Sequence, residues 1–230
     1  MPLPRWAAQD AYDAAIQLSV SRYGGGVTVP MVKAIIATES GFNPQAYRTE
    51  SPRASLPPTP DFPDGGDASF GLMQLLSRTA RGLGFRGTLD GLFNPTTNID
   101  LGVKLMADNL RRSFGVVADS VSAYNGGFRP TMGYGTPLGG AYANQTYVNS
   151  VLQNLDYFRE WEAAKGGPSA PVADTFPVDR SGGPVVAGDA PKAVDPEEPT
   201  DALRIGVRNA VLLGLAVWAV IVLSCSYFGG

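Results

Sequence analysis

Residues 166–200 divide this chain. They hold seven prolines, five glycines and six acidic side chains against two basic ones, with few large apolar groups. Such a segment buries too little apolar surface to offset the entropy of ordering it, which predicts a disordered linker. Its root-mean-square reach as a flexible chain is roughly 30–35 Å. Beyond it, residues 210–228 read AVLLGLAVWAVIVLSCSYF without a charge. A helix of that length spans about 28 Å, close to the hydrocarbon thickness of a bilayer. Three zones are therefore expected: a folded domain over residues 1–165, the linker over 166–200, and a single-span C-terminal membrane anchor within 201–230.

Within the first zone the apolar spacing is helical. Residues 6–23 place Trp6, Ala7, Ala11, Ala14, Ala15, Leu18 and Tyr23 roughly on one stripe before Gly24-Gly25-Gly26 ends the pattern. Pro30 suits the first turn of a second helix that stops near Gly41. Residues 77–83, 98–114, 116–124 and 147–161 supply four more. No stretch alternates over strand length, so the domain is expected to be mostly α. Residues 49–67 carry too many prolines for a helix and are expected to form a long loop, either a lid or a plain insertion.

Composition removes whole classes of chemistry. The chain has no histidine, which excludes a Ser-His-Asp triad, a Cys-His pair and any His-ligated zinc site. Its only cysteine, Cys225, lies in the apolar C-terminal run, so no disulfide forms within the chain. Residues 1–165 contain 14 basic and 14 acidic side chains. A neutral folded part gives no electrostatic case for nucleic acid. Neither a metal nor an organic cofactor is expected, and catalysis falls to carboxylates, hydroxyls and amides.

Glu39 is the first candidate. It follows Ile35-Ile36-Ala37-Thr38 and precedes Ser40-Gly41, in the last turn of a largely apolar helix. Apolar burial and the negative end of the helix dipole both disfavour a carboxylate there, and no basic residue is adjacent in sequence. Both effects favour a protonated carboxyl, the form that a general acid needs. Taken alone, the segment also fits an exposed residue at a helix end.

Glu39-Ser40-Gly41-Phe42-Asn43-Pro44, then Gly71-Leu72-Met73-Gln74-Leu75, then Ala123-Tyr124-Asn125-Gly126-Gly127 occur in that order. Together they resemble the signature of the soluble-lytic-transglycosylase-like (SLT) family, related in fold to goose-type lysozyme. Residues 94–102 are similar to the family's lead into its longer helix, and Tyr147-Val148 to its late tyrosine; the resemblance covers residues 5–160. It implies a lysozyme-like helical domain whose cleft binds peptidoglycan glycan strands. It also implies that Glu39 protonates the β-1,4 glycosidic oxygen and then, as base, activates the 6-hydroxyl of the muramoyl sugar to leave a 1,6-anhydro end. By the same resemblance Ser40, Met73, Gln74, Tyr124, Asn125 and Tyr147 bind substrate or orient Glu39. Gly71 and Gly126 read as backbone devices. The 32 positions between Glu39 and Gly71 depart from the family's shorter turn. Asp61, Asp64 or Asp67 in that insertion reaching the cleft would position a water and give hydrolysis, as in a lysozyme.

The location follows from charge. Nothing at the N-terminus reads as a signal peptide, and Arg204 and Arg208 flank the apolar segment on its N-terminal side. By the positive-inside rule a host cell that inserts this segment leaves the domain in the cytoplasm, away from peptidoglycan. Delivery in a phage virion, with other virion proteins as partners and action in the host envelope during genome entry, removes the conflict. A part in a conjugation or secretion apparatus, a tail-anchored cellular enzyme inserted against its charge bias, and a non-catalytic glycan-binding module are the alternatives.

Overall fold

A computed structural model gives the protein's structure, described over residues 4–50 and 56–166. Six helices carry the described chain: α1 Asp13–Tyr23, α2 Val29–Glu39, α3 Ser77–Gly82, α4 Pro95–Arg112, α5 Val117–Gly126 and α6 Gln145–Ala164. Three short strands, β1 Tyr47–Glu50, β2 Asp67–Phe70 and β3 Leu75–Leu76, form an antiparallel sheet in sequence order. Its register pairs Tyr47 with Phe70, Glu50 with Asp67, and Phe70 with Leu75.

The helices begin where local chemistry starts them. Pro30 stands in the first turn of α2, and Pro95 opens α4, where a missing N–H costs nothing. The Asn94 side chain caps α4 by accepting from the Thr97 N–H. The helix expected from residue 6 starts at Asp13, because residues 6–12 turn through i→i+3 bonds such as Gln9 N to Trp6 O. Asp10 and Trp6 are thereby turned toward α6.

Two apolar clusters divide the domain. α2 packs on α6, α1 on α4 and α4 on α5 around Ile16, Met31, Ile35, Val103, Leu155 and Phe158. The sheet side has its own cluster of Phe70, Leu75, Leu92 and Leu101, with Phe62, Phe85 and Phe93 packed against it. Between them the chain crosses over: Phe70 belongs to the sheet cluster, whereas Leu72 and Met73 belong to the helical one.

The Pro-rich insertion is the loop of a β-hairpin, not a free excursion between helices. Its outermost residues are in strands, since Glu50 faces Asp67 across the β1–β2 ladder. Arg81 grips Asp61 through Nε and Nη2, both at 2.8 Å, and Arg78 donates to the carbonyls of Pro57 and Gly66. No helix among the described residues is long and apolar enough to cross a membrane. The expected linker beyond residue 166 and the expected anchor lie outside the described residues.

Candidate active site

Glu39 is the last residue of α2, half-buried. The helix ends because Gly41 and then Phe42 take positive φ, 58° and 67°. Phe42 bears that strain because its ring is buried against Trp6 and Phe158. Across the α2–α6 contact, Tyr147 in the first turn of α6 donates its hydroxyl to Glu39 Oε1 at 2.8 Å. About two α6 turns further on, Asn154 donates to Thr38 Oγ1 at 3.0 Å. Two cross-helix bonds at neighbouring α2 positions thus fix where the carboxyl points.

Ser40 turns back into its own helix, its hydroxyl donating to the Ile36 carbonyl at 3.2 Å. It closes the C-terminus of α2 and so holds the rim beside Glu39.

The crossover turn carries the second group. Gly71 has φ 70° and Gln74 φ 47°. The Gln74 side-chain amide donates to the carbonyls of Ala46 and Gly71, at 2.9 and 3.0 Å. Met73 is fully buried in the helical cluster, with its sulfur packed under Gly102. Its main chain, rather than its side chain, makes the polar contacts of this turn. The Met73 N–H donates to Asn98 Oδ1 at 2.8 Å, and its carbonyl accepts from the Tyr124 hydroxyl at 2.9 Å.

Asn98 is the hub of this turn, and sequence reasoning gave it no site role. Buried in α4, it also donates Nδ2 to Phe70 O and Leu92 O. A Cβ on Gly71 would lie 2.7 Å from both Asn98 Nδ2 and Leu92 O, so only glycine lets the turn close on this hub. The available signal was the asparagine's place one turn into α4, inside the segment that resembles the family.

α5 brings the third group. Tyr124 binds the crossover turn, while Asn125, also buried, accepts from Asn144 Nδ2 at 3.0 Å. Asn144 in turn accepts from the Ser122 hydroxyl at 2.8 Å, and Ser122 Oγ accepts from the Gly135 N–H. Asn144 stands just ahead of α6 and three residues before Tyr147, so Asn125 and Glu39 are joined through one turn of α6. A Cβ on Gly126 would fall 1.8 Å from the Tyr134 ring, which fits its reading as a backbone device.

The carboxylates of the insertion are largely committed elsewhere. Asp61 pairs with Arg81, whose hydrogen bonds hold its carboxyl below the usual carboxylate range. Asp67 is buried, and burial pushes its pKa up against the bonds it accepts from Ser77, Ala68 and Arg78. Its Oδ1 accepts from both the N–H and the hydroxyl of Ser77 at the start of α3. Asp64 is exposed.

Residues 20–136, just over half of the 230-residue chain, match the family model described as Transglycosylase SLT domain. Among solved structures, the chain is similar to an inactive mutant of the lytic transglycosylase Slt from Pseudomonas aeruginosa. That match has 19% identity and a TM-score of 0.48, and it covers 72% of this chain and 26% of that one. A second, Bd0314 DslA in its wild-type form, has 17% identity and a TM-score of 0.37, with 47% and 71% covered. The chain thus spans about a quarter of the Slt chain it matches. On the strength of the family match, which takes in Glu39, the crossover turn and α5, the chain belongs to the transglycosylase SLT domain family.

Proposed function

We propose that this protein cleaves peptidoglycan glycan strands as a lytic transglycosylase, with Glu39 as its single acid and base. The observation that carries the reading is the half-buried carboxyl of Glu39, held by the Tyr147 hydroxyl at a helix end inside an SLT domain. In this reading Glu39 donates its proton to the glycosidic oxygen as the bond to the muramoyl anomeric carbon breaks. The resulting carboxylate then takes the proton of the 6-hydroxyl of the same sugar as that oxygen bonds to the anomeric carbon. The proton returns to Glu39, no water is consumed, and a 1,6-anhydro end remains.

An intramolecular nucleophile needs positioning rather than a second carboxylate, so the two-carboxylate scheme of most glycosidases is unnecessary. Support for the anhydro route over hydrolysis comes from the insertion. Asp61 and Asp67 are engaged by Arg81, Ser77 and Arg78, which leaves only the exposed Asp64 of the three insertion carboxylates without such a bond. The test is mass spectrometry of the fragments released from purified peptidoglycan. Anhydro ends, lighter by one water than reducing ends, are expected from the wild type. Glu39→Gln should lower their release by about a hundredfold or more at unchanged helicity. Reducing ends as the main product would overturn the anhydro route, and undiminished release by Glu39→Gln the role of the glutamate.

The same reading places the enzyme on a membrane through residues 210–228 and carries it in a phage virion that opens the host wall locally. The support is sequence charge: Arg204 and Arg208 flank the apolar run on the side of the domain. Mass spectrometry of purified particles tests it, and absence of the protein there ends the virion reading.

A further inference from the structure

Arg129 lies in the loop that leaves α5 just after Asn125 and Gly126, and it is rigidly held. Its Nε and Nη2 donate to the Gly126 carbonyl at 2.9 and 2.6 Å. The guanidinium lies 4.7 Å from the centre of the Tyr134 ring, within cation–π range. Main-chain bonds in both directions tie Arg129 to Tyr134, at 3.1 and 3.2 Å. Tyr134 itself is buried on Gly126.

No carboxylate meets this cation among the described residues. Arg22, Arg48, Arg78, Arg81, Arg111 and Arg159 each have an acidic partner within 4 Å; Arg5, Arg86 and Arg112 lack one but are exposed, whereas Arg129 lacks one inside the fold. It is nevertheless half-buried, and burial draws its pKa below the ordinary arginine value, against a smaller opposing effect of Tyr134. A pre-oriented, partly desolvated guanidinium with no countercharge is costly on its own account and suited to an incoming carboxylate.

The position ties it to the site. Arg129 holds Gly126, the neighbouring Asn125 bonds Asn144, and one turn of α6 leads from Asn144 to Tyr147 and Glu39. Two large apolar side chains on the same loop stand open, Met132 at 54% and Leu138 at 63% exposure. In peptidoglycan the amide-bearing sugars carry no charge of their own, and the fixed anions are the carboxylates of the attached peptides, which also present alanine methyls. From this arrangement we infer that Arg129 binds a stem-peptide carboxylate, with Met132 and Leu138 as apolar contacts beside it, so that the enzyme selects peptide-bearing over peptide-free glycan. The inference rests on the peptidoglycan reading above.

The full-length protein is assayed on peptide-bearing glycan strands and on strands stripped of their peptides by an amidase, with the lactyl carboxylates so freed then amidated to leave no anion, and anhydro ends are counted by mass spectrometry. The wild type is expected to prefer the peptide-bearing strands in kcat/KM. Arg129→Gln should lower that preference by about tenfold or more, the usual effect of losing one hydrogen-bonded charge pair, and Arg129→Lys should keep part of it. Amidating the stem carboxylates of the substrate should reproduce the loss for the wild type and add little for Arg129→Gln. Equal loss on both strands would make Arg129 a merely structural residue, and an amidated substrate cleaved as well as the native one would also overturn the inference. A wild type inactive on both strands would overturn the peptidoglycan reading, and this inference with it.

Discussion

Tyr147 gives the sharpest test at the scale of single residues, because its hydroxyl is the group that bonds Glu39 Oε1. Tyr147→Phe removes one oxygen and no ring, so the α2–α6 contact stays filled. Losing a hydrogen bond to an ionisable group costs about 1.5–3 kcal/mol. Release of anhydro fragments should therefore fall about tenfold to a hundredfold, in kcat rather than KM, with little change in melting temperature. An unchanged kcat would show that Glu39 is oriented by other groups. Gly71→Ala tests the turn instead of the acid. It forces a side chain into positive φ and into atoms 2.7 Å away, so a loss of a few kcal/mol in denaturant unfolding is expected. How legible these residues were depends on how local their surroundings are. Glu39, Gln74 and Tyr124 lie inside short runs whose neighbours already announce a turn or a helix end. Asn98 and Asn144 do not. Their meaning comes from Met73, 25 positions before Asn98, and from Asn125, 19 positions before Asn144. Met73 shows the converse: its place in the motif was visible, but not that its carbonyl takes the Tyr124 hydroxyl while its side chain fills the core.

At the scale of elements, helices were readable and strands were not, for a physical reason. α2 and α4 carry a proline at the start, and α4 adds a buried stripe at helical spacing, signals that survive in a single sequence. β2 is buried at all four positions, so it has no alternation to detect. β1 is largely exposed along an edge, and β3 has two residues. The sheet exists because it pairs, and pairing across the 51–66 loop is invisible to periodicity. That hairpin is held from α3, which leads to a specific expectation. Asp61→Ala cuts the bidentate grip of Arg81 on the loop. The pair is partly exposed and should contribute only about 0.5–1 kcal/mol to global stability. Its local effect should be larger, because few other bonds tie residues 56–62 to the domain. Limited proteolysis is expected to cut the loop several-fold faster in Asp61→Ala, with cleavage of glycan maintained. A cutting rate equal to that of the wild type would mean that Arg78 alone secures the hairpin.

For the whole molecule the decisive feature is an ionic clamp that joins the two ends of the described domain. Lys33 of α2 is fully buried, with its Nζ 2.6 Å from carboxylate oxygens of Asp10, Asp13 and Glu162. Lys165, just past α6, meets the same three acids at 2.8–3.1 Å, and the Trp161 indole N–H donates to Asp10. The three acids stand close enough to suggest a cation site, but the two ammonium groups already stand among them and offset two of their three charges. Lys33 lies six residues before Glu39, about 9 Å along α2, so the clamp fixes the helix whose end carries the acid. Lys33→Met leaves the acids short of one buried partner and should cost about 3–5 kcal/mol. The clamp also sets how the domain responds to pH. Burial opposes ionisation of Asp10, yet the bonds from Lys33, Lys165 and Trp161 prevail and lower its pKa from 3.8 to about 2. A lowered acid favours the folded state above its unfolded pKa, and that gain is lost as pH falls through the folded value. The Asp10 side chain is 39% exposed, so screening reduces its share to about 1 kcal/mol. Lys165 works at the other end. Its folded pKa is raised despite burial, by Asp13, Asp10 and Glu162, so its contribution holds below the ordinary lysine value and fades only at strongly alkaline pH. Denaturant unfolding should therefore be level, as far as the clamp decides it, from about pH 5 to pH 9, and should lose stability between about pH 4 and pH 2. In Lys33→Met the acid loss should be shallower, because Asp10 starts from a higher folded pKa. Parallel acid slopes in the two proteins would show that carboxylates elsewhere, and not this clamp, govern unfolding by acid.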